Sequence, residues 1–274
     1  MTNKPKSDWD PELYNRFRAY RAEPVAMMLE RLQLGPRERI VDLGCGTGEH
    51  TLELARRSPE GSVVGIDSSP AMIERALELH QALAPDLRQR LRFELADFRN
   101  FAGDREYTVV FSNAALQWAS DHRSIFAAAY RALRTNGQLA IQMPANENEA
   151  AQSTMRRMAT EPPWNLVLSK VRTPSDENVL APADYRRLLA EIGFVEVDCF
   201  YHSFHHPMSS AGEVVEFCRS TSLRRFLDQL PAAHHFEFMA ELTRRLEVVY
   251  GTRGPLVFNF RRLFLWGRRI NDSR

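Results

Sequence analysis

Over the first half of the chain, short apolar runs alternate with longer stretches of helical periodicity. Ile40 to Leu43, Ser62 to Ile66, Leu91 to Leu95, Thr108 to Ser112 and Gln138 to Met143 are five such runs. Each is too short for a helix and predicts a buried strand. Between them, Thr51 to Arg57, Pro70 to Ala82 and Ile125 to Leu133 repeat apolar residues at helical spacing, with Met72, Ile73, Ala76 and Leu79 on one face of the second. Strands interleaved with helices over about a hundred residues predict a parallel, doubly wound sheet of the α/β class. Ligands of such sheets bind at the carboxyl ends of the strands.

The flanks are read less regularly. Met1 to Lys6 carries no periodic pattern, whereas Ser7-Asp8-Trp9-Asp10-Pro11 has the chemistry of a helix start. Tyr14, Phe17 and Tyr20-Arg21 follow at helical spacing. These aromatics, with Trp9, have two open readings, core packing or a lid over a ligand. Pro24 opens a second helical stretch through Arg31, broken at Gly35-Pro36. From Asn146 to about Pro182 the pattern is irregular, with Pro162-Pro163 and Pro174. Asp184 to Ile192 predicts a helix ended by Gly193. Phe194 to Phe204 and Leu256 to Trp266 predict two last, antiparallel strands. Val214 to Phe217, Leu223 to Leu230 and Phe236 to Val249 predict amphipathic helices inserted between them as a cap. The organisation expected is an N-terminal helical lid over 1–35, a ligand-binding core over 36–146, and the rest of the sheet over 147–274 with the cap at 213–250.

Chemistry gathers where the apolar runs end. The first run enters Asp42-Leu43-Gly44-Cys45-Gly46-Thr47-Gly48. Glycines permit unusual dihedrals and close approach of a ligand to the main chain, and the N–H groups opening the next helix favour an anionic or polar group there. A dinucleotide G-x-G-x-x-G fingerprint would need glycine at position 49, which is Glu49. Asp67 ends the second run about twenty residues on, the spacing of a ribose-diol acceptor. The competing reading makes Asp67, Ser68 or Ser69 the cap of a helix starting at Pro70. The strand-end rule gathers Asp42, Gly44, Asp67, Asp97 and Asn113.

Composition narrows the class. A hydrophobic content of 44% in 274 residues suits a globular core, and a net charge of +1 argues against wholesale nucleic-acid binding. Cys45, Cys199 and Cys218 have no metal-ligand spacing, so no metal is expected, and free cysteines fit a reducing compartment. Met1 to Asp10 lacks an apolar signal core, and no run approaches about eighteen apolar residues. A cytoplasmic protein with no membrane association is the expectation.

An acidic residue followed by Gly44-x-Gly46-x-Gly48 resembles motif I of the class I S-adenosylmethionine (SAM) methyltransferases. That resemblance implies a Rossmann-like fold, a seven-stranded mostly parallel sheet with helices on both faces and a small helical cap. It implies SAM as cofactor and S-adenosylhomocysteine as product. Ser7-Asp8-Trp9, Gly65 to Ile73, Asn113-Ala114-x-Leu116-Gln117-Trp118, Gln142-Met143-Pro144, Thr221-x-Leu223-Arg224 and Arg262-Leu263-Phe264 resemble the trans-aconitate 2-methyltransferase family over nearly the whole chain. Methyl transfer to a carboxylate of a small polycarboxylic acid, trans-aconitate, is thereby implied. The Asn-Ala-Ala-Leu at 113–116 lacks the N-P-P-Y of enzymes that methylate nucleic-acid bases.

The site follows from these readings. Asp42, Gly44, Cys45 and Gly46 would border the methionine end, Asp67 and Ser68 the ribose, Met72, Asp97 and Phe98 the adenine, with Ile66 on its other side. Asn113, Ala114 and Trp118, beside Gln117, would lie near the sulfonium, where an aromatic face suits a cation; an ordinary core tryptophan is the other reading of Trp118. A carboxylate acceptor is already ionised, so no catalytic base is expected. A polyacid calls for several donors, and Tyr14, Arg21, His206, Arg224 and Arg262 are the candidates. His202, His205 and His206 fall where the family likeness is loose. A phenol, amine or carrier-bound acid as acceptor is the alternative, with His122 or His206 as base for the first two. A non-catalytic SAM-binding module and a nicotinamide oxidoreductase are further alternatives, the latter opposed by Glu49. The partner expected is a small polycarboxylate and the state a monomer.

Overall fold

The structure is a computed structural model that describes residues 17–171, 178–252 and 254–270. The chain divides into two compact units. One comprises Pro24–Pro144, Glu177–His202 and Arg262–Arg274, and the other Met1–Glu23, Ala145–Asp176 and Ser203–Arg261.

Among the described residues the sheet has seven strands, β1 (Arg39–Leu43), β2 (Ser62–Asp67), β3 (Leu91–Leu95), β4 (Tyr107–Asn113), β5 (Leu133–Pro144), β6 (Val195–Met208) and β7 (Leu256–Arg268). Their order is β3-β2-β1-β4-β5-β7-β6. β1 pairs in parallel with both β2 and β4, β2 with β3, and β4 with β5, whereas β7 runs antiparallel to β5. Val109 to Ser112 and Leu139 to Met143 are buried along their whole length, as strands covered on both faces require. The chain leaves β1 towards β2 and β3, then returns to place β4 on the other side. Right-handed crossovers in opposite directions put their helices on opposite faces and open a crevice between β1 and β4.

The connecting helices are α1 (Arg18–Arg31), α2 (Glu49–Arg57), α3 (Pro70–Gln81), α4 (Pro85–Arg90), α5 (His122–Ala132), α6 (Ala150–Thr160), α7 (Asn165–Leu168), α8 (Pro182–Ile192), α9 (Ala211–Arg219), α10 (Arg224–Leu227) and α11 (His235–Tyr250). Three details differ from the sequence reading. Pro24 opens no new helix but sits inside α1, with Val25, Met28 and Leu29 buried beyond it, and the division between the two units falls at that residue. Asn136-Gly137 makes no turn ahead of the fifth strand. Asn136 takes φ +62° within β5, and the β4–β5 register shifts between Tyr107 and Val109, so the extra residues are absorbed as an irregularity of the ladder. The stretch after Asn146, read as irregular, holds α6 and α7.

The sheet-bearing unit is fastened at its far side by stacked rings. Phe264 lies flat on Trp266 (5.4 Å, 8°), Phe200 on Trp266 (5.5 Å, 19°), and the Arg31 guanidinium sits 4.1 Å over Trp266 while binding Asp198 at 2.7 Å. The other unit has its own aromatic core, with Phe217 against Phe17, Phe258 and Phe260, and Trp164 edge-on to Phe238.

A candidate cofactor cradle at the carboxyl ends of the strands

The glycine turn is built by its neighbours. Gly44 and Cys45 both donate their N–H to Ile66 O, at 2.8 and 2.9 Å, which ties the turn to the end of β2. Gly44, Gly46 and Gly48 all have positive φ, at +78°, +56° and +83°. A Cβ on Gly44 would stand 2.2 Å from that of Ala115, and one on Gly48 2.4 Å from the Phe93 ring. A Cβ on Gly46 would meet nothing within 4 Å. Two glycines thus pack the turn against the fold, and the third borders open space.

Asp67 faces that turn. Its Oδ2 accepts from Gly46 N at 3.0 Å and its Oδ1 from Ser69 N at 2.8 Å, so the carboxylate is oriented with lone pairs to spare on each oxygen. Asp42, 2% exposed at the end of β1, accepts from the Thr51 hydroxyl at 2.7 Å. Burial pushes its carboxyl up to about 7, against the pull of the Thr51 hydrogen bond, with the Asp67 charge adding to the rise. Cys45 is buried and its thiol is raised, first by burial and then by Asp42 and Asp67, so it stays protonated.

Asp97 caps the turn Phe98–Asn100 and is clasped by the Arg99 side chain, Nε at 2.9 Å from each oxygen. That clasp holds the Asp97 carboxyl below the usual carboxylate range. Phe98 and Ile66 are buried, whereas Ser68 and Met72 are exposed.

Beyond β4 the chain turns sharply. Ala114 adopts φ +52°, donates its N–H to Gln142 O at 2.9 Å and accepts from Gln117 Nε2 at 2.7 Å. Leu116–Trp118 forms a single 3-10 turn. Asn113 and Gln142 are paired in register on β4 and β5. Asn113 Oδ1, Gln117 Oε1 and Gln142 Nε2 are buried atoms with no hydrogen-bond partner in the protein. Buried amides left open in this way ask for a ligand or water. Trp118 is 62% exposed, which rules out the core reading.

These observations fit SAM. An open glycine cradle, an oriented carboxylate, a buried acid and unmet amides line the ends of β1, β2, β4 and β5, and each suits a different part of that molecule.

Residues 34–189 match the family model described as a methyltransferase domain. Trans-aconitate 2-methyltransferase from Methylobacterium radiotolerans is 36% identical over 97% of this chain and 100% of its own length. The enzyme of that name from Variovorax paradoxus is 38% identical over 94% of this chain and 97% of its own. The chain belongs to the trans-aconitate 2-methyltransferase family. As a member of that family it is a SAM-dependent methyltransferase. Distant solved structures share the fold. The YcgJ protein from Bacillus subtilis superposes with a TM-score of 0.59 at 14% identity, covering 91% of this chain and 99% of its own. A phosphoethanolamine N-methyltransferase from Haemonchus contortus, solved with SAM, gives 0.58 at 16% identity over 91% of this chain and 53% of its own.

Of the acceptor candidates, Tyr14 and the neighbouring Trp9 lie outside the described residues. Arg21 donates to Ser220 Oγ at 2.9 Å and lies 5.9 Å over the Phe217 ring. Arg224 opens α10. His206 is 1% exposed, stacked on Tyr20 at 4.1 Å, with Nδ1 3.7 Å from Glu23. Arg262, half-buried, pairs in register with Pro144 at the end of β5. His205 is engaged with Asn259 at 2.9 Å and His202 lies edge-on to Phe264, so the three histidines face different partners. Among the described residues no group of His, Cys, Asp and Glu is placed to hold a metal ion, and no helix is long and apolar enough to cross a membrane.

Sequence reasoning missed Gln142, although it is a polar residue closing an apolar run, the same signal that marks Asp42 and Asn113. Thr51 carried no signal because only the folded glycine turn brings its hydroxyl to Asp42, nine residues back, and Tyr185 carried none because His122 lies 63 residues away.

Proposed function

We propose that this methyltransferase transfers the methyl group of SAM to a carboxylate oxygen of trans-aconitate. The observation that carries the acceptor is the likeness to enzymes of that name along nearly the whole chain, beyond the segment that any methyltransferase domain shares.

When bound, SAM supplies an electrophilic methyl on a sulfonium, which a carboxylate oxygen takes in one displacement. The chain's own work is to bind, orient and dehydrate. The Asp67 carboxylate, aimed by Gly46 and Ser69, accepts from the ribose hydroxyls. Asp42 in its ionised form offers a buried negative charge to the amino-acid end. Asp97, Phe98 and Met72 border the adenine, with the Arg99 clasp shared or displaced. Arg262, in the same unit as the cradle, supplies a forked donor that holds a carboxylate of the acid and strips its water. A carboxylate is ionised above about pH 5, so no base enters.

His122 is not free to be the base that a phenol acceptor or an amine would need. Both of its ring nitrogens are engaged inside the fold, at 2.8 Å to Leu116 O and 2.5 Å to the Tyr185 hydroxyl. The same reading takes the enzyme to act as a cytoplasmic monomer with a small polycarboxylate and no nucleic acid as partner. The test is methyl transfer from labelled SAM to a panel of organic acids, phenols and amines. Trans-aconitate ester is the expected product. Turnover of a phenol or amine with none of any acid overturns the proposal.

A further inference from the structure

His122 was a candidate base, and Tyr185 carried no expectation at all. Both are buried, at 4% and 0% exposure, and together they form a directional chain of hydrogen bonds. Leu116 O can only accept, so the proton of the neutral ring sits on Nε2, which donates to it at 2.8 Å. Nδ1 is then an acceptor, and the Tyr185 hydroxyl donates to it at 2.5 Å. The hydroxyl oxygen in turn accepts from Leu180 N at 3.2 Å. Every donor and acceptor of both side chains has one assignment. Burial holds the His122 pKa below its ordinary value, which keeps the ring in this neutral form.

The chain of bonds ends on the turn after β4. Leu116 O also accepts from Ala119 N at 2.9 Å, and Trp118 N donates to Ala115 O at 3.2 Å. Asn178 Nδ2 donates to Gln117 O at 3.2 Å. This turn follows a strained residue, Ala114 at φ +52°, and carries the unmet Gln117 Oε1 and the exposed Trp118 ring. A strained turn of a few residues keeps one geometry only when its surroundings over-determine it.

We propose that His122 and Tyr185 are positioning residues for methyl transfer, fixing the Leu116–Trp118 turn so that Gln117 and Trp118 stand at the reacting centre. The inference rests on the methyltransferase reading of this site. Neither residue touches the reacting atoms. Their effect is on how often the turn presents its side chains correctly, and a displacement of an ångström at such a place costs up to about a hundredfold in rate.

The test uses the full chain with His122→Leu, His122→Gln and Tyr185→Phe. The glutamine amide retains an N–H donor towards Leu116 O, whereas leucine has none, and Tyr185→Phe is the mildest change should His122→Leu fold poorly. In His122→Leu and Tyr185→Phe, kcat for the methylated acid is expected to fall by about tenfold or more. Affinity for S-adenosylhomocysteine and the acid's KM should stay within about twofold. His122→Gln should recover most of the loss. Hydrogen exchange at the amides of residues 114–119, measured with S-adenosylhomocysteine bound, should accelerate by about tenfold in the first two variants and not in the third. Wild-type kcat in both His122→Leu and Tyr185→Phe overturns the proposal, as does a loss that His122→Gln shares in full or unchanged exchange at 114–119. Failure of the wild type to methylate trans-aconitate would remove that acceptor, while the exchange experiment would still decide whether the pair holds the turn.

Discussion

At the scale of single residues, the two acids of the cradle behave in opposite ways. Asp67 accepts from two backbone N–H groups and keeps acceptor capacity on each oxygen. Asp67→Ala should weaken SAM binding by about 1–3 kcal/mol in calorimetry, the range for a lost hydrogen bond to a charged group. Asp42 has a folded pKa of about 7, well above its ordinary 3.8. The folded state therefore binds a proton that the unfolded chain has already released, and this group's contribution to stability falls as pH rises from about 4 to about 7. Asp42→Asn should remove that slope, gaining thermal stability relative to wild type at pH 8 and little at pH 4. A cationic ligand group favours the ionised carboxyl, so SAM affinity of the wild type should decline as pH drops below 7, and the asparagine variant should bind more weakly with that dependence lost. Calorimetry at several pH values checks both. These acids were legible in the sequence because they stand at the ends of apolar runs, where strands of such a sheet meet a ligand. The Thr51 hydroxyl and the Tyr185–His122 pair were not legible, because each contact joins residues that only the finished fold brings together.

At the scale of elements, the glycine turn separates packing from binding within five residues. Gly44→Ala combines a left-handed φ with a 2.2 Å clash against Ala115, a buried neighbour that cannot yield. It should cost about 2–4 kcal/mol, read as a lower melting temperature. Gly46→Ala carries only the backbone cost, about 1–2 kcal/mol, because nothing stands within 4 Å of the new methyl. Its larger effect should be on SAM affinity, since that methyl projects into the open cradle. Equal losses of stability in the two variants, with SAM affinity retained in the second, would place Gly46 outside the binding surface. The strands themselves were the most legible part of the fold. β3 has the bounds its apolar run predicts, β1 and β2 differ from theirs by one residue at one end, and β4 by one residue at each end. Local signals misled where tertiary packing outweighs them. Asn136-Gly137 has turn chemistry but is drawn into β5, and Pro24 has the chemistry of a helix start but is carried within α1 by the buried face that follows it.

At the scale of the whole molecule, the candidates sort by unit. Every proposed SAM contact, from Asp42 to Trp118, belongs to the sheet-bearing unit, and so does Arg262, whereas Arg21, His206 and Arg224 belong to the other. The alternation of strand and helix announces the first unit from sequence alone. Of the second, the amphipathic helices between β6 and β7 are legible, but not their union with two stretches widely separated from them in sequence, stabilised by rings such as Phe17, Phe217 and Phe260. Arg262→Ala should raise the acid's KM by about tenfold to a hundredfold, the equivalent of a charge-assisted hydrogen bond, with SAM affinity unchanged. Loss of SAM affinity instead would mean that Arg262 supports the fold or the cofactor. The pH profile then separates acceptor chemistry from cofactor binding. With SAM saturating, kcat should be flat from about pH 6 to 9, because the acid's carboxylate, of pKa about 4, is ionised throughout. With SAM limiting, the rate should fall below pH 7 as Asp42 takes up its proton, and Asp42→Asn should abolish that limb without altering the flat profile at saturation. A limb near the histidine pKa that persists at saturating SAM would point to a base and to an acceptor other than a carboxylate.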